Sequence, residues 1–196
     1  RLADYVAALL GLADETFLGR DAVDDDARRF HAGRLTCRAT NAAGLELVLG
    51  DVLGVPVRVE EFAGSWVELP ADAWRRLGRG GEPDGRRDAA TARLGTAVLG
   101  RRIHDPQQAF RLRLGPLDYE QLLAFLPIGG EFERLRDWVR TYAQRAYAWD
   151  VRMIVRRAEV PRTRLGDASW LGWTTWVRSA AEAPADDDRL VFTGEP

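Results

Sequence analysis

Lysine is absent from this chain: all 28 of its basic residues are arginine. That excludes Schiff-base chemistry and the phosphate-gripping lysine of a P-loop. Cysteine occurs once, at Cys37, so neither an internal disulfide nor a multi-cysteine zinc site can form. The only histidines are His31 and His104, and serine is confined to Ser65, Ser169 and Ser179, none of them in a G-x-S-x-G setting. No H-E-x-x-H, C-x-x-C or D-x-D-x-D-G pattern is present. No apolar run approaches the roughly 18 to 20 residues that span a bilayer. The formal net charge of -2 supplies no overall pull toward nucleic acid or anionic lipid. With 46% hydrophobic and 30% charged residues in 196, what is present is ordinary globular composition, enough for one large domain or two small ones.

Apolar periodicity then supplies the elements. Leu2, Tyr5, Val6, Leu9 and Leu10 make one stripe of an amphipathic helix ending near Gly11. The run Asp24, Asp25, Asp26 reads as a helix N-terminus rather than a metal site, because adjacent acids on a helix point in different directions. Asn41 is a cap candidate for a helix buried through Leu45, Val48, Leu49, Val52 and Leu53 and stopped by Gly54. Val55, Val57 and Val59 alternate as a strand, and Trp66, Val67 and Leu69 suggest another. Residues 78–90, rich in Gly, Asp and Arg, read as a mobile surface loop.

Phe110, Leu112 and Leu114 alternate with Arg111 and Arg113, predicting a strand that buries the apolar set and ends at Gly115 and Pro116. Asp118 with Gln121 completes a capping box for a helix over 118–125 that presents Leu122, Leu123 and Leu126. Phe132, Leu135, Val139, Tyr142 and Ala146 stripe a longer helix, and Val151, Met153 and Val155 form the next strand. A Leu171-Gly172-Trp173 corner, an acidic loop over 180–188 and a short strand over 190–192 close the chain.

The two halves read as copies. Helix-then-strand recurs at 45–58 and 135–152. The paired Leu-Gly corners Leu94-Gly95 and Leu99-Gly100 match Leu165-Gly166 and Leu171-Gly172. A period of about ninety residues with two copies suits tandem duplication better than a solenoid. The expected fold is α+β, with two similar helix-strand modules over 1–116 and 117–196 and small antiparallel sheets.

Chemistry is thin. His104-Asp105 invites a general-base reading, but Asp105 ahead of Pro106 fits a turn better. A small hydrolase using His104 and a carboxylate is therefore the runner-up. Arg101, Arg102, Arg111, Arg113, Arg152, Arg156 and Arg157 could stripe a nucleic-acid surface, yet acids are interleaved and no aromatic stacking platforms lie between them. Trp170, Trp173 and Trp176 recur every three residues, alongside Trp66, Trp74, Trp138 and Trp149. Indoles of this kind serve an interface or fill a core, and Trp173, after its Leu-Gly corner, reads as buried.

The order LG, LG, R-I-x-D, F-R-L-R-L-G-P-L and F-L-P over 94–127, with the run RATNAAGLELVLGDVLGVPVRVEEFAGSW over 38–66 and the triplet at Leu171, resembles the TssG family of type VI secretion baseplate subunits. The family's further N-terminal portion has no counterpart here, and Arg1 already lies inside a helix-like pattern, which reads as a fragment of a longer chain. The resemblance implies a non-catalytic wedge component without cofactor or metal, in the cytoplasm. Its implied partners are TssF, TssE and TssK, with the VgrG spike hub as a further one, and TssK links the baseplate to the membrane complex. Two loops are the expected partner contacts: Arg101, Arg102, His104, Asp105, Gln107 and Gln108 in the first half, and Trp176, Arg178, Asp186, Asp187 and Asp188 in the second.

Overall fold

The computed structural model describes residues 2–37, 40–70, 100–144, 147–160, 170–176 and 186–194. Among them, six α-helices and six strands run in the order α1 (Leu2–Leu9), α2 (Asp25–Phe30), α3 (Ala32–Leu35), α4 (Ala42–Leu53), β1 (Val57–Glu60), β2 (Ser65–Glu68), β3 (Arg102–Asp105), β4 (Ala109–Leu117), α5 (Tyr119–Phe125), α6 (Gly130–Ala143), β5 (Ala148–Val155) and β6 (Asp187–Thr193). The fold is α+β. The loop expected over 78–90, the Leu-Gly pairs at 94, 99 and 165, Trp74 and Ala146 fall wholly or partly outside the described residues.

Local signals set most boundaries. Asn41 accepts from the Gly44 N–H at 2.6 Å to start α4, and Gly54, at φ 64°, ends it in the left-handed conformation that glycine adopts without a Cβ penalty. Asp118 and Gln121 exchange both hydrogen bonds of the capping box, at 2.8 and 3.0 Å. The three acids before α2 go to separate tasks: Asp24 caps the helix, Asp25 pairs with Arg28, and Asp26 pairs with Arg29.

Four strands form one sheet in the order β1-β4-β5-β6. β1 pairs with β4, and β6 with β5, antiparallel, whereas β4 and β5 run parallel, so this sheet is mixed. A parallel pair needs a long crossover, and α5 with α6 provides it. α4 is thus followed by the antiparallel pair β1–β4 and α6 by the antiparallel pair β5–β6, and the two pairs meet along β4 and β5. On the edge strand β1, the Val59 N–H donates to Glu46 of α4 at 2.8 Å, which shields part of that edge.

The helices cover one face. Leu45, Val48 and Leu49 of α4, Leu122 and Phe125 of α5, and Phe132, Leu135, Trp138 and Val139 of α6 share a single core with Leu112, Leu114, Val151, Met153 and Val155. Trp138 is wholly buried and meets the buried His31 edge-on at 5.8 Å. His31 Nε2 lies 3.1 Å from Asp51, and this histidine is 3% exposed. The opposite face of the sheet carries Arg58, Glu60, Arg111, Arg113, Asp150, Arg152, Ile154 and Val191, each exposed or half-buried.

Three expectations need correction. β4 does not stop at Gly115: it runs on to Leu117 through a shift in register against β5, because the buried Leu117 still has Val155 to pair with. The last strand begins at Asp187, three residues early, as β5 extends far enough for Val155 to pair with Asp187. In α1 the apolar stripe is only partly covered: Tyr5 and Leu9 are each 74% exposed and Val6 and Leu10 half-buried, while Ala7 on another side is buried.

A Cβ at Gly44 would lie 2.1 Å from the Tyr142 hydroxyl and 2.8 Å from Asn41 Oδ1. The Tyr142 hydroxyl in turn donates to the Asn41 carbonyl at 3.1 Å, tying α6 to the start of α4. Gly44→Ala should therefore destabilise the chain by about 1–3 kcal/mol in chemical denaturation despite its better helix propensity. Combined with Tyr142→Phe, the same substitution should cost measurably less; equal costs in both backgrounds would show that the hydroxyl is not the obstacle.

Candidate interaction surfaces

The first set of candidate residues lies on a two-stranded ribbon. β2 and β3 pair antiparallel, apart from the four-stranded sheet, with Trp66 opposite His104 and Glu68 opposite Arg102. The ribbon extends the β1–β4 ladder past a break at residues 61–64, where the Ala63 N–H still reaches the Ala109 carbonyl at 3.1 Å. Two left-handed residues make that break, Phe62 at φ 58° and Gly64 at φ 73°. For a bulky phenylalanine this conformation costs roughly 1–3 kcal/mol, and it leaves the ring 70% exposed.

Glycine at 64 also makes room: a Cβ there would sit 2.2 Å from His104 Cε1. The His104 imidazole instead meets Trp66 edge-on, centroids 5.4 Å apart. Asp105, the next residue along the strand, accepts from the Gln107 N–H at 2.8 Å and so shapes the turn that leads to β4. The two side chains of the suspected acid-base pair are thus engaged separately. Arg102 takes Glu68 through Nε and Nη2, at 3.1 and 2.7 Å, both side chains well exposed. Arg101 closes the ribbon through its carbonyl, which accepts from Leu69 at 2.8 Å. Gln108 likewise accepts through its carbonyl, from the Ala148 N–H at 2.9 Å, fastening the turn to β5.

Gln107 opens onto a cleft of about 220 Å³ between the β1–β4 pair with its break and helices α4 and α6, whose walls include Leu45, Val59, Phe62, Phe110, Tyr142 and Tyr147. Sequence reasoning missed this cleft and the exposure of Trp66, which is 67% open. A signal was available for the second: Trp66 and Val67 are adjacent on a strand, so one of them must face away from any core.

The second set is scattered. Trp176 is only 9% exposed and belongs to the core cluster, so the isolated chain offers little of its indole to a partner. Trp173 is half-buried against Phe192 at 5.8 Å, while Trp170 is 47% exposed. Asp186 accepts from the Arg157 N–H at 3.0 Å, closing the path between β5 and β6. Asp187 and Asp188 belong to β6 and not to a loop. Arg178 lies outside the described residues. The structure therefore groups the first set on one ribbon and turn, and spreads the described members of the second over the core (Trp176), the approach to β6 (Asp186) and β6 itself (Asp187 and Asp188).

Comparison with known proteins agrees with this architecture. The family model described as "Type VI secretion, TssG" matches residues 1–178. The chain is similar in fold to one in a cryo-electron microscopy structure of the type VI secretion system TssK-TssF-TssG baseplate subcomplex, with a TM-score of 0.68 at 18% identity, over 98% of this chain and 76% of that one. No curated protein matches the sequence significantly.

Two arginine pairs of different exposure make a test of this surface. Arg102 and Glu68 are wet, and Arg102→Ala should change stability by less than about 1 kcal/mol. Arg111 holds Asp150 through two bonds of 2.6 and 2.7 Å in a largely sheltered position, and this carboxylate holds the guanidinium above its usual pKa. Arg111→Ala, which strands that carboxylate, should cost about 1–3 kcal/mol in the same denaturation assay.

Proposed function

The chain belongs to the TssG family of type VI secretion, and from that premise we propose that it is a structural, non-catalytic subunit of the secretion baseplate. The family match over residues 1–178 carries this reading. It is supported by a surface whose polar side chains are engaged within the chain: His104 with Trp66, Asp105 with its own turn, Arg102 with Glu68. The proposed location is the cytoplasm, with attachment to the membrane through partner proteins. No helix among the described residues is long and apolar enough to cross a membrane.

TssF and TssK, which accompany TssG in the similar solved structure, are the proposed direct partners. TssE and the VgrG hub are proposed as further neighbours in the assembled wedge. The ribbon and turn carrying Arg101, Arg102, His104 and Gln107 form one proposed contact for a TssK trimer. The segment preceding β6, ending at Asp186, forms the second, each half of the chain offering one.

Co-expression with a TssF protein, followed by size-exclusion chromatography with light scattering, tests the role. Co-elution as a stable complex is expected; a chain that stays monomeric beside soluble TssF would count against it. Reversing Arg101 and Arg102 to Glu should then lower the amount of TssK held per complex by about half, two equivalent contacts being reduced to one. An unchanged TssK stoichiometry would remove the ribbon from the contact.

A further inference from the structure

The cleft beside the break at residues 61–64 is lined unevenly. Phe62, Phe110, Tyr142 and Tyr147 bring four aromatic rings to it, and Glu61 is the single charged residue among the described residues of its walls. In a chain with 28 arginines, none of the described ones borders this cleft. Glu61 is exposed and makes no hydrogen bond or ion pair among the described residues. The start of α4 also reaches the cleft, but its needs are met within the chain: Asn41 Oδ1 caps it at Gly44, and the Tyr142 hydroxyl donates to the Asn41 carbonyl.

Two further observations bear on what this cleft takes. Phe62 brings its ring here from a left-handed backbone, φ 58°, which glycine would adopt without cost; the fold carries that strain and keeps the ring. The volume, about 220 Å³, falls below the roughly 300–1,000 Å³ of pockets that enclose drug-sized ligands, so it suits a single inserted side chain. Phe110 and Tyr147 already meet edge-on with centroids 6.5 Å apart, which leaves Tyr147 48% exposed.

We propose that this cleft receives an arginine side chain from a partner protein, its guanidinium held by the aromatic rings and Glu61. Aromatic rings attract a cation through their quadrupole, and a carboxylate beside them supplies the counter-charge. Arginine fits both: its planar guanidinium stacks on rings, grips a carboxylate through paired N–H groups, and is more weakly hydrated than a lysine ammonium. A wholly apolar occupant would cover Glu61 and desolvate its carboxylate without a partner. An anionic one would meet its repulsion. The side chains involved are not those of the ribbon, and the site does not depend on the family assignment.

An NMR titration of the full chain, isotope-labelled in its phenylalanine and tyrosine rings, with the peptide acetyl-Gly-Arg-Gly-amide tests it. Saturable shifts of the Phe62, Phe110 and Tyr147 rings are expected, and the same peptide carrying citrulline, the neutral isostere of arginine, should bind at least about fivefold more weakly. Glu61→Gln should weaken the arginine peptide about fivefold, whereas Glu120→Gln, an equal charge change at an exposed site on α5, should leave it within about twofold. Phe62→Gly should also weaken binding about fivefold while the melting temperature holds or rises, since glycine relieves the left-handed strain. Absence of saturable shifts would overturn the proposal, as would equal affinity for the citrulline peptide or equal losses from the two glutamate variants. So would binding that tightens about tenfold in Arg145→Ala, because the chain's own arginine would then be the occupant.

Discussion

The parallel contact between β4 and β5 is the constraint on which the rest of this molecule depends. Two parallel neighbours cannot be joined by a tight turn, so the chain must leave the sheet after Leu117 and return at Ala148. α5 and α6 occupy that path, and their leucines and Trp138 have a buried face only because the sheet beneath them is continuous across the seam. The same contact draws a strand pair from each half of the chain into one sheet. It also decides which charges meet, since Arg111 finds Asp150 only at this register.

From that seam the exposed features follow. The β1–β4 pair outlasts the sheet and continues, past the left-handed Phe62 and Gly64, as the ribbon of β2 and β3. The ribbon presents Trp66 to solvent, the break before it presents Phe62, and a cleft lies between that break, the β1–β4 pair and helices α4 and α6. Large exposed aromatics beside a shaped cleft are what a protein interface uses, since an indole or phenyl ring buries much area for few frozen rotors. A subunit that works by being held in place needs such faces and needs a rigid core behind them; the shared core of three helices and one sheet supplies the second requirement.

Much of this was readable along the chain, and the exceptions have a common cause. Asp118 with Gln121, and Asn41 with Gly54, announced their helices because capping is settled within a few residues. Alternation placed Leu112, Leu114, Val151 and Met153 inside for the same local reason. The stripe of α1 was just as legible, yet Tyr5 and Leu9 face outward: periodicity says which side chains share a face and not what stands against it. Trp66 and Trp176 show the point most sharply. Both are tryptophans beside short apolar runs, and one is open to solvent while the other fills the core.

Sequence alone thus determined the kinds of element, their caps, the apolar set of each strand, the α+β class and the resemblance to a family. These depend on interactions between residues a few positions apart or on the pattern of the whole chain. Tertiary structure decided strand order, the parallel seam, the extension of β4 past Pro116 and the pairing of Arg111 with Asp150. Each of those rests on pairing between segments tens of residues apart, where a shift of a single residue would exchange the buried and exposed faces of a strand. No local signal carries that information, because register is set by what the neighbouring strand buries.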